Sequence, residues 1–204
     1  MIDPGVEKTL KTVADFFDRF KVGYTGHSGY RKTTDLYVLL AACRELSERN
    51  LIDARRTVFL DLGCGDGRVN LFMSYLCRLS IGVELEDFIY EEYAIRRREL
   101  EDLIASESLI PIPDNVFVIL GNSLKEDTHN EILNQTGVTL RDVDIFYTYI
   151  TLHDAFAELI AEKARPGALY MVYGFNSVLP RYDGFTLLEP DLGNQGLIAL
   201  YKKS

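Results

Sequence analysis

The chain has few cysteines, no long apolar run and a deficit of positive charge over its 204 residues. Its apolar runs are much shorter than a bilayer span, which argues against a membrane helix. The first seven residues lack a basic region and an apolar segment, so no secretory signal is expected. The three cysteines do not have metal-ligand spacing and cannot all pair, which predicts no metal site and a reducing, cytoplasmic location.

The net charge of −9 argues against a nucleic-acid partner, because phosphate binding needs a basic footprint. Residues 1–34 carry a net charge of +2, which leaves −11 on the rest of the chain. Most of this excess acid is expected to be a solvated surface. The alternative interpretation is that the acidic surface binds a basic protein or peptide substrate.

A glycine-rich segment at residues 58–69 is the most informative part of the sequence. It consists of an apolar run that predicts a strand, then a turn containing Gly63, Gly65 and Gly67, and then a helical pattern. Glycine allows positive φ and a close approach of the backbone to a ligand, and the following helix N-terminus favours an anionic group. Asp66 is predicted to cap that helix.

Glu84 lies 21 residues after Gly63, at the end of the next predicted strand. A carboxylate at that point can accept hydrogen bonds from the hydroxyls of a ribose. The dinucleotide fingerprint requires its third glycine at position 68, where this chain has an arginine. The segment therefore predicts a nucleoside site without a pyrophosphate cradle.

The pattern that runs from Asp61 through Gly63, Gly65 and Gly67 to Glu84 resembles the class I methyltransferases that depend on S-adenosylmethionine. This resemblance implies S-adenosylmethionine as the cofactor, with the three glycines against its adenosyl and methionine parts. It also implies that Glu84 holds the ribose hydroxyls and that Asp61 faces the methionine end.

Strand and helix patterns alternate along the chain, which predicts an α/β fold with helices on both faces of a parallel sheet. The resemblance implies a Rossmann-like, doubly wound, mostly parallel seven-strand sheet with an antiparallel C-terminal hairpin and N-terminal helices. We expect one methyltransferase domain over 1–204, with a cofactor-binding core at 57–204. Residues 1–50 are expected to form a helical segment that covers the cofactor or substrate site, with a loop at 24–30.

Three further places carry candidate site residues. In the family, the corner after the third strand meets the adenine ring, and here that corner contains Asn122 and Ser123. The Asn122 amide oxygen is predicted to accept from the exocyclic amine, and the Ser123 N–H to donate to a ring nitrogen. Tyr30 is a candidate lid residue over the cofactor. A turn at 121–123 and a core aromatic at position 30 are the simpler alternatives.

The segment after the fourth strand is where the family places residues that face the substrate. It lacks the Asn/Asp-Pro-Pro-Tyr motif of base and glutamine methyltransferases, and it contains Tyr147, Tyr149 and His153 instead. Tyr147 is assigned to the cofactor site and Tyr149 to catalysis, because an aromatic pocket can accept a lysine ammonium. His153 is a candidate general base, with a surface bond at a helix N-terminus as its alternative.

The motifs also resemble, more weakly, the seven-strand (non-SET) protein-lysine methyltransferases. The acceptor is thus a basic protein or a small molecule. A non-catalytic module that binds S-adenosylmethionine is the rival hypothesis, and a nucleotide-sugar or nicotinamide enzyme is a third.

Overall fold

A computed structural model of the chain describes residues 1–20, 33–175 and 179–204 in full, and the backbone of 24–26 and 29–31. Within these ranges the helices are α1 Pro4–Asp18, α2 Leu36–Glu48, α3 Arg68–Met73, α4 Asp87–Ser106, α5 Glu126–Thr136 and α6 His153–Lys163. The strands are β1 Tyr24–Gly26, β2 Gly29–Arg31, β3 Val58–Asp61, β4 Leu79–Glu84, β5 Val116–Leu120, β6 Ile145–Tyr149, β7 Leu169–Tyr173, β8 Phe185–Glu189 and β9 Ile198–Lys203.

A seven-strand sheet organises the structure, with the strand order β5-β4-β3-β6-β7-β9-β8. The first five strands in this order are mutually parallel, whereas β9 is antiparallel to both β7 and β8. The order reverses at β3, so the carboxyl ends of β3, β4 and β6 surround the switch point where ligands bind in such sheets. The predicted fold class, including the C-terminal hairpin, is confirmed.

The two faces of the sheet pack against different helices, because alternate residues of each strand point to opposite sides. Phe59 and Tyr147 belong to the core that also contains α1, α2 and α3. Leu60 and Phe146 belong to the core formed with α5 and α6. The strands are buried on both faces, which explains their nearly continuous apolar sequences.

Aspartates start both N-terminal helices. The Asp3 carboxylate accepts the N–H groups of Gly5 and Val6, and Pro4 follows at the first helical position. The Asp35 carboxylate does the same at the start of α2, where it accepts the N–H groups of Tyr37 and Val38. These caps satisfy N–H groups that have no partner inside the helix.

Three expectations about local structure were wrong. Residues 24–30 contain a short antiparallel hairpin between β1 and β2, which the two glycines there had obscured. The apolar periodicity predicts a helix from about residue 67 to 79, but α3 ends at Met73 and the chain continues as turns. The Arg96–Arg98 run is most simply predicted to be the solvated face of its helix, but the Arg96 guanidinium lies 3.7 Å from the Phe20 ring centroid. In the same run, Arg97 donates to the Tyr93 hydroxyl.

Two further features are absent from the described ranges. No helix there is both long and apolar enough to cross a membrane. The same residues contain no group of three or more His, Cys, Asp or Glu side chains that could hold a metal ion.

Candidate functional site

The glycine turn joins β3 to α3, and its three glycines have different physical roles. Gly65 and Gly67 adopt φ of 58° and 75°, which side-chain-bearing residues rarely do. A Cβ on Gly67 would also lie 2.4 Å from Cδ2 of Tyr93. A Cβ on Gly63 would have no heavy atom within 4 Å, so open space lies beside the turn at that point.

The Glu84 carboxylate lies directly against this turn. Its Oε2 accepts the Gly65 N–H at 2.8 Å and its Oε1 accepts the Glu86 N–H at 2.9 Å. Glu84 is only 8% exposed. These two bonds fix the carboxylate, and each oxygen keeps a lone pair that can accept a further hydrogen bond from a ligand.

Asp61 ends β3 and is 2% exposed. Its Oδ1 accepts one hydrogen bond, from the Gly63 N–H at 3.2 Å. Burial, with a smaller contribution from the nearby Glu84 and Asp66 carboxylates, raises the pKa of Asp61 to about 8. The free protein therefore holds Asp61 largely protonated at neutral pH, and a cation beside it would favour the ionised form.

Asp66 binds the side chain of Arg68 more extensively than it caps the helix. Arg68 Nε and Nη2 donate to the two Asp66 oxygens at 2.9 and 2.7 Å, and both side chains are buried. Asp66 also accepts the Arg68 N–H at 3.3 Å, so part of the predicted cap is present. A third bond joins Arg68 Nη2 to the carbonyl of Phe20, which connects the glycine turn to the chain just beyond α1.

The predicted adenine corner at Asn122 and Ser123 follows β5. Both residues form hydrogen bonds with neighbouring parts of the protein. The Asn122 Oδ1 accepts the Leu124 N–H at 2.9 Å, as an Asx turn does. The Ser123 hydroxyl donates to the carbonyl of Leu62 at 2.8 Å, which ties this corner to the glycine turn. His129 Nε2 lies 2.8 Å from the Ser123 carbonyl, so that nitrogen carries the hydrogen.

Tyr147 and Tyr149 lie in strand β6 rather than in the loop after it. Tyr147 is fully buried, and its hydroxyl lies 2.6 Å from the Thr34 hydroxyl. Burial, and then the proximity of Asp61, raises the pKa of Tyr147 well above its usual value. Tyr149 is half-buried, with its ring centroid 5.1 Å from that of Tyr173.

His153 lies on the opposite side of the sheet from Tyr149. Its Nδ1 is 2.8 Å from the Tyr182 hydroxyl, and its ring packs edge-on against Phe175. Phe175 and Tyr182 belong to the core with α5 and α6, whereas Tyr149 packs against the other core. The structure therefore does not bring the two proposed catalytic side chains together.

The N-terminal segment meets the carboxyl edge of the sheet on both sides of the β1–β2 hairpin. Before the hairpin, the Phe20 carbonyl accepts from Arg68, and after it Thr34 bonds Tyr147. Tyr30 pairs through its backbone with Thr25, and its side chain lies outside the described residues.

The sequence did not indicate Thr34 or His129 as part of this site. Thr34 bonds a residue 113 positions away in the chain, and no local pattern reports such a contact. His129 is on α5, within six positions of Ser123. A histidine in the first turn of the helix after a Gly-Asn-Ser turn is a weak signal that could have suggested this bond.

No protein-family description and no curated protein matches the chain, but many solved structures do. An RNA methyltransferase from Salinibacter ruber in complex with S-adenosyl-L-homocysteine has a TM-score of 0.54 and 16% identity, over 85% of this chain and 94% of that one. The O-methyltransferase TomG from Streptomyces achromogenes, in complex with SAM, has a TM-score of 0.52 and 14% identity, over 100% and 91%. An O-methyltransferase from Bacillus cereus in complex with SAH has a TM-score of 0.53 and 12% identity, over 100% and 92%. The chain has the Rossmann-like fold of the class I S-adenosylmethionine-dependent methyltransferases.

Proposed function

We propose that this protein binds S-adenosylmethionine and transfers its methyl group to an amine acceptor. The observation that carries the proposal is the buried Glu84 carboxylate, bonded to the Gly65 N–H beside the open space at Gly63. A ribose diol can donate to the free lone pairs of that carboxylate. The solved structures of the same fold that hold SAM or SAH support this choice of ligand.

The electrostatics of the site fit this cofactor. Asp61 and Glu84 face the turn, whereas the charge of Asp66 is balanced by Arg68. A cationic ligand is favoured, because a positive charge beside the buried Asp61 would promote its ionisation, and S-adenosylmethionine carries a sulfonium and an ammonium group. We assign Glu84 to the ribose, Asp61 to the methionine ammonium, and Asn122 and Ser123 to the base.

Bound S-adenosylmethionine supplies an electrophilic methyl carbon, so the protein chiefly has to position the acceptor and exclude water. We assign the acceptor to the edge formed by Tyr149 and Tyr173. Burial raises the pKa of Tyr149, so its phenol stays protonated and presents an uncharged ring to the acceptor. Such a ring suits a lysine or small-amine acceptor by cation–π contact, and the net charge of −9 suits a basic protein.

Residues 1–50 are proposed to cover this site. The support is that Phe20 and Thr34, on either side of the β1–β2 hairpin, bond Arg68 and Tyr147 at the carboxyl edge. A further support is that the Asp35 N–H donates to the hydroxyl of Tyr173, at the proposed acceptor edge, at 3.3 Å.

A non-catalytic S-adenosylmethionine-binding module is the second candidate. The observation that favours it is that the hydroxyl of Tyr147 and Nδ1 of His153 already bond Thr34 and Tyr182. Each group would have to give up this bond, or pass a proton along it, to act on an acceptor.

The two candidates are separated by incubating the protein with methyl-labelled S-adenosylmethionine and a panel of basic proteins, peptides and small amines. Transfer of label with formation of S-adenosylhomocysteine supports the enzyme, and the Glu84→Ala variant should slow it at limiting S-adenosylmethionine. Tyr149→Phe, which keeps the ring, should retain transfer, and Tyr149→Ala should lose it. Binding without transfer to any acceptor class would favour the module.

A further inference from the structure

The glycine turn leads into a helix that gives it little support. Helix α3 has six residues, from Arg68 to Met73, and the chain then continues as turns. Gly67 precedes this helix with a φ of 75°, and its carbonyl accepts the Leu71 N–H at 2.9 Å. A helix this short is not stable by itself. The conformation of the turn therefore depends on contacts from other parts of the structure.

Tyr93 of α4 supplies one of these contacts. A Cβ on Gly67 would lie 2.4 Å from Cδ2, 3.0 Å from Cε2 and 3.3 Å from Cγ of the Tyr93 ring. The ring therefore lies against the Cα of Gly67, on the side where any other residue carries its side chain. Tyr93 is partly buried and packs on the core that contains α1, α2 and α3, so the ring has little room to move away.

The hydroxyl end of Tyr93 is held by the next turns of α4. Arg97 Nη1 donates to the Tyr93 hydroxyl at 3.1 Å, and Arg97 Nε donates to Glu101 Oε1 at 2.8 Å. The three residues are spaced four apart, so they lie on the same side of the helix. Burial, opposed by the bond from Arg97, raises the pKa of Tyr93, so the hydroxyl stays uncharged. Tyr93 is thus fixed at both its ring and its hydroxyl.

The same helix is connected to the turn by a second route. The Arg96 guanidinium lies 3.7 Å from the Phe20 ring centroid, and the Phe20 carbonyl accepts from Arg68 Nη2 at 3.0 Å. Arg68 also bonds both oxygens of Asp66, within the turn. The arginine run of α4 therefore contributes to the contact between this helix and the glycine turn.

We propose that Tyr93 is a positioning residue for the S-adenosylmethionine site, because it holds Gly67 in the left-handed conformation that shapes the turn. This rests on the proposed function, since it assumes that the turn binds S-adenosylmethionine. Glycine has more conformational freedom than any other residue, so Gly67 would sample other conformations without the ring. Gly65 lies two residues earlier and bonds the Glu84 carboxylate that is assigned to the ribose, so such a change would reach the ligand.

The test is calorimetric titration of S-adenosylhomocysteine against variants at these two positions. Tyr93→Ala should bind it about 10-fold more weakly, whereas Tyr93→Phe keeps the ring and should stay within about 3-fold of the wild-type affinity. Gly67→Ala should also lose about 10-fold or more, because its Cβ would displace the ring.

The double variant separates positioning from a general loss of stability. When Tyr93→Ala is already present, Gly67→Ala should cost only about 3-fold or less, because the new methyl group no longer meets a ring and only the left-handed backbone of alanine remains unfavourable. An effect on folding alone would leave the two losses of affinity independent.

Leu103→Ala is the matched control, because Leu103 is a partly buried residue of α4 that packs on the same core nearer the other end of the helix. It should lower the free energy of unfolding and leave the affinity unchanged. If Tyr93→Ala binds S-adenosylhomocysteine as the wild-type protein does, or if the two losses simply add, this proposal is overturned while the proposed function stands. If the wild-type protein does not bind the ligand, the proposed function is overturned and this inference with it. Tyr93→Leu, which keeps an apolar side chain without the ring, takes the place of Tyr93→Ala if the latter does not fold.

Discussion

Replacing Asp61 by asparagine should stabilise the free protein in a strongly pH-dependent way. Burial raises the pKa of Asp61 from 3.8 to about 8, so the folded state holds a proton that the unfolded chain releases. The stabilising contribution of that proton is complete below pH 3.8 and is lost as the pH rises towards 8. Asparagine keeps the oxygen that accepts the Gly63 N–H and has no charge to desolvate.

The magnitude follows from the span between the two pKa values. Each pH unit in this window costs the wild-type protein about 1.4 kcal/mol relative to a variant that does not titrate. Between pH 5 and pH 8, the stability advantage of Asp61→Asn should therefore grow by up to about 4 kcal/mol. The growth of the difference, rather than its absolute size, is the quantity to measure, because effects that are independent of pH cancel in it.

The assay is urea unfolding of both proteins at pH 5 and pH 8, followed by circular dichroism. Asp142→Asn is the control, because bonds from the Thr139 hydroxyl and N–H lower the pKa of Asp142. That variant should lose stability by the same amount at both pH values. An Asp61→Asn difference that is equal at pH 5 and pH 8 would show that Asp61 ionises normally and would refute the reasoning.

Three further substitutions test the site itself. Glu84→Ala should weaken S-adenosylhomocysteine binding by about 1–3 kcal/mol in a calorimetric titration, because a buried charged acceptor is lost. Gly63→Ala should leave the free energy of unfolding within about 1 kcal/mol but weaken binding, since its Cβ would enter the open space beside the turn. Arg68→Met should cost about 3–5 kcal/mol of stability in urea unfolding, and the double variant with Asp66→Asn should recover much of it, because no buried charge is then left unpaired.

Each of these predictions has a contradicting result. Unchanged affinity in Glu84→Ala would mean that the carboxylate serves only the Gly65 and Glu86 N–H groups. Full affinity in Gly63→Ala would place the ligand elsewhere. A double variant no more stable than Arg68→Met would assign the loss to the missing Phe20 bond rather than to the unpaired Asp66.

The sequence predicted the sheet well because its strands are buried on both faces and therefore apolar throughout. The glycine spacing and the distance from the glycine turn to Glu84 can both be read directly from the sequence. In the structure the Glu84 carboxylate accepts the Gly65 N–H, so the turn and the acidic residue that the sequence indicated are in contact. The β1–β2 hairpin was not predicted, because two glycines in the seven residues 24–30 are equally typical of a loop. The end of α3 at Met73 was not predicted either, since an apolar periodicity does not report where helical bonding stops.

The contacts of individual side chains were harder to predict. His153 and Tyr149 are four positions apart in the sequence. Because Tyr149 ends β6 and His153 begins α6, their side chains lie on opposite faces of the sheet. Tyr147 is a buried strand residue, and its bond to Thr34 was not predicted. The bond from the Leu124 N–H to the Asn122 Oδ1, two residues earlier, was not predicted. Each of these outcomes depends on strand register or on a neighbouring N–H group, which periodicity does not specify.

The most direct test of the central claim is a calorimetric titration of the purified protein with S-adenosylmethionine, S-adenosylhomocysteine and NAD. The proposed site predicts saturable binding of the first two ligands at one site per chain. It predicts no comparable binding of NAD, because Arg68 stands where a dinucleotide fingerprint needs its third glycine. Binding of NAD in preference to both adenosyl ligands, or of none of the three, would contradict the assignment of Glu84 and the glycine turn.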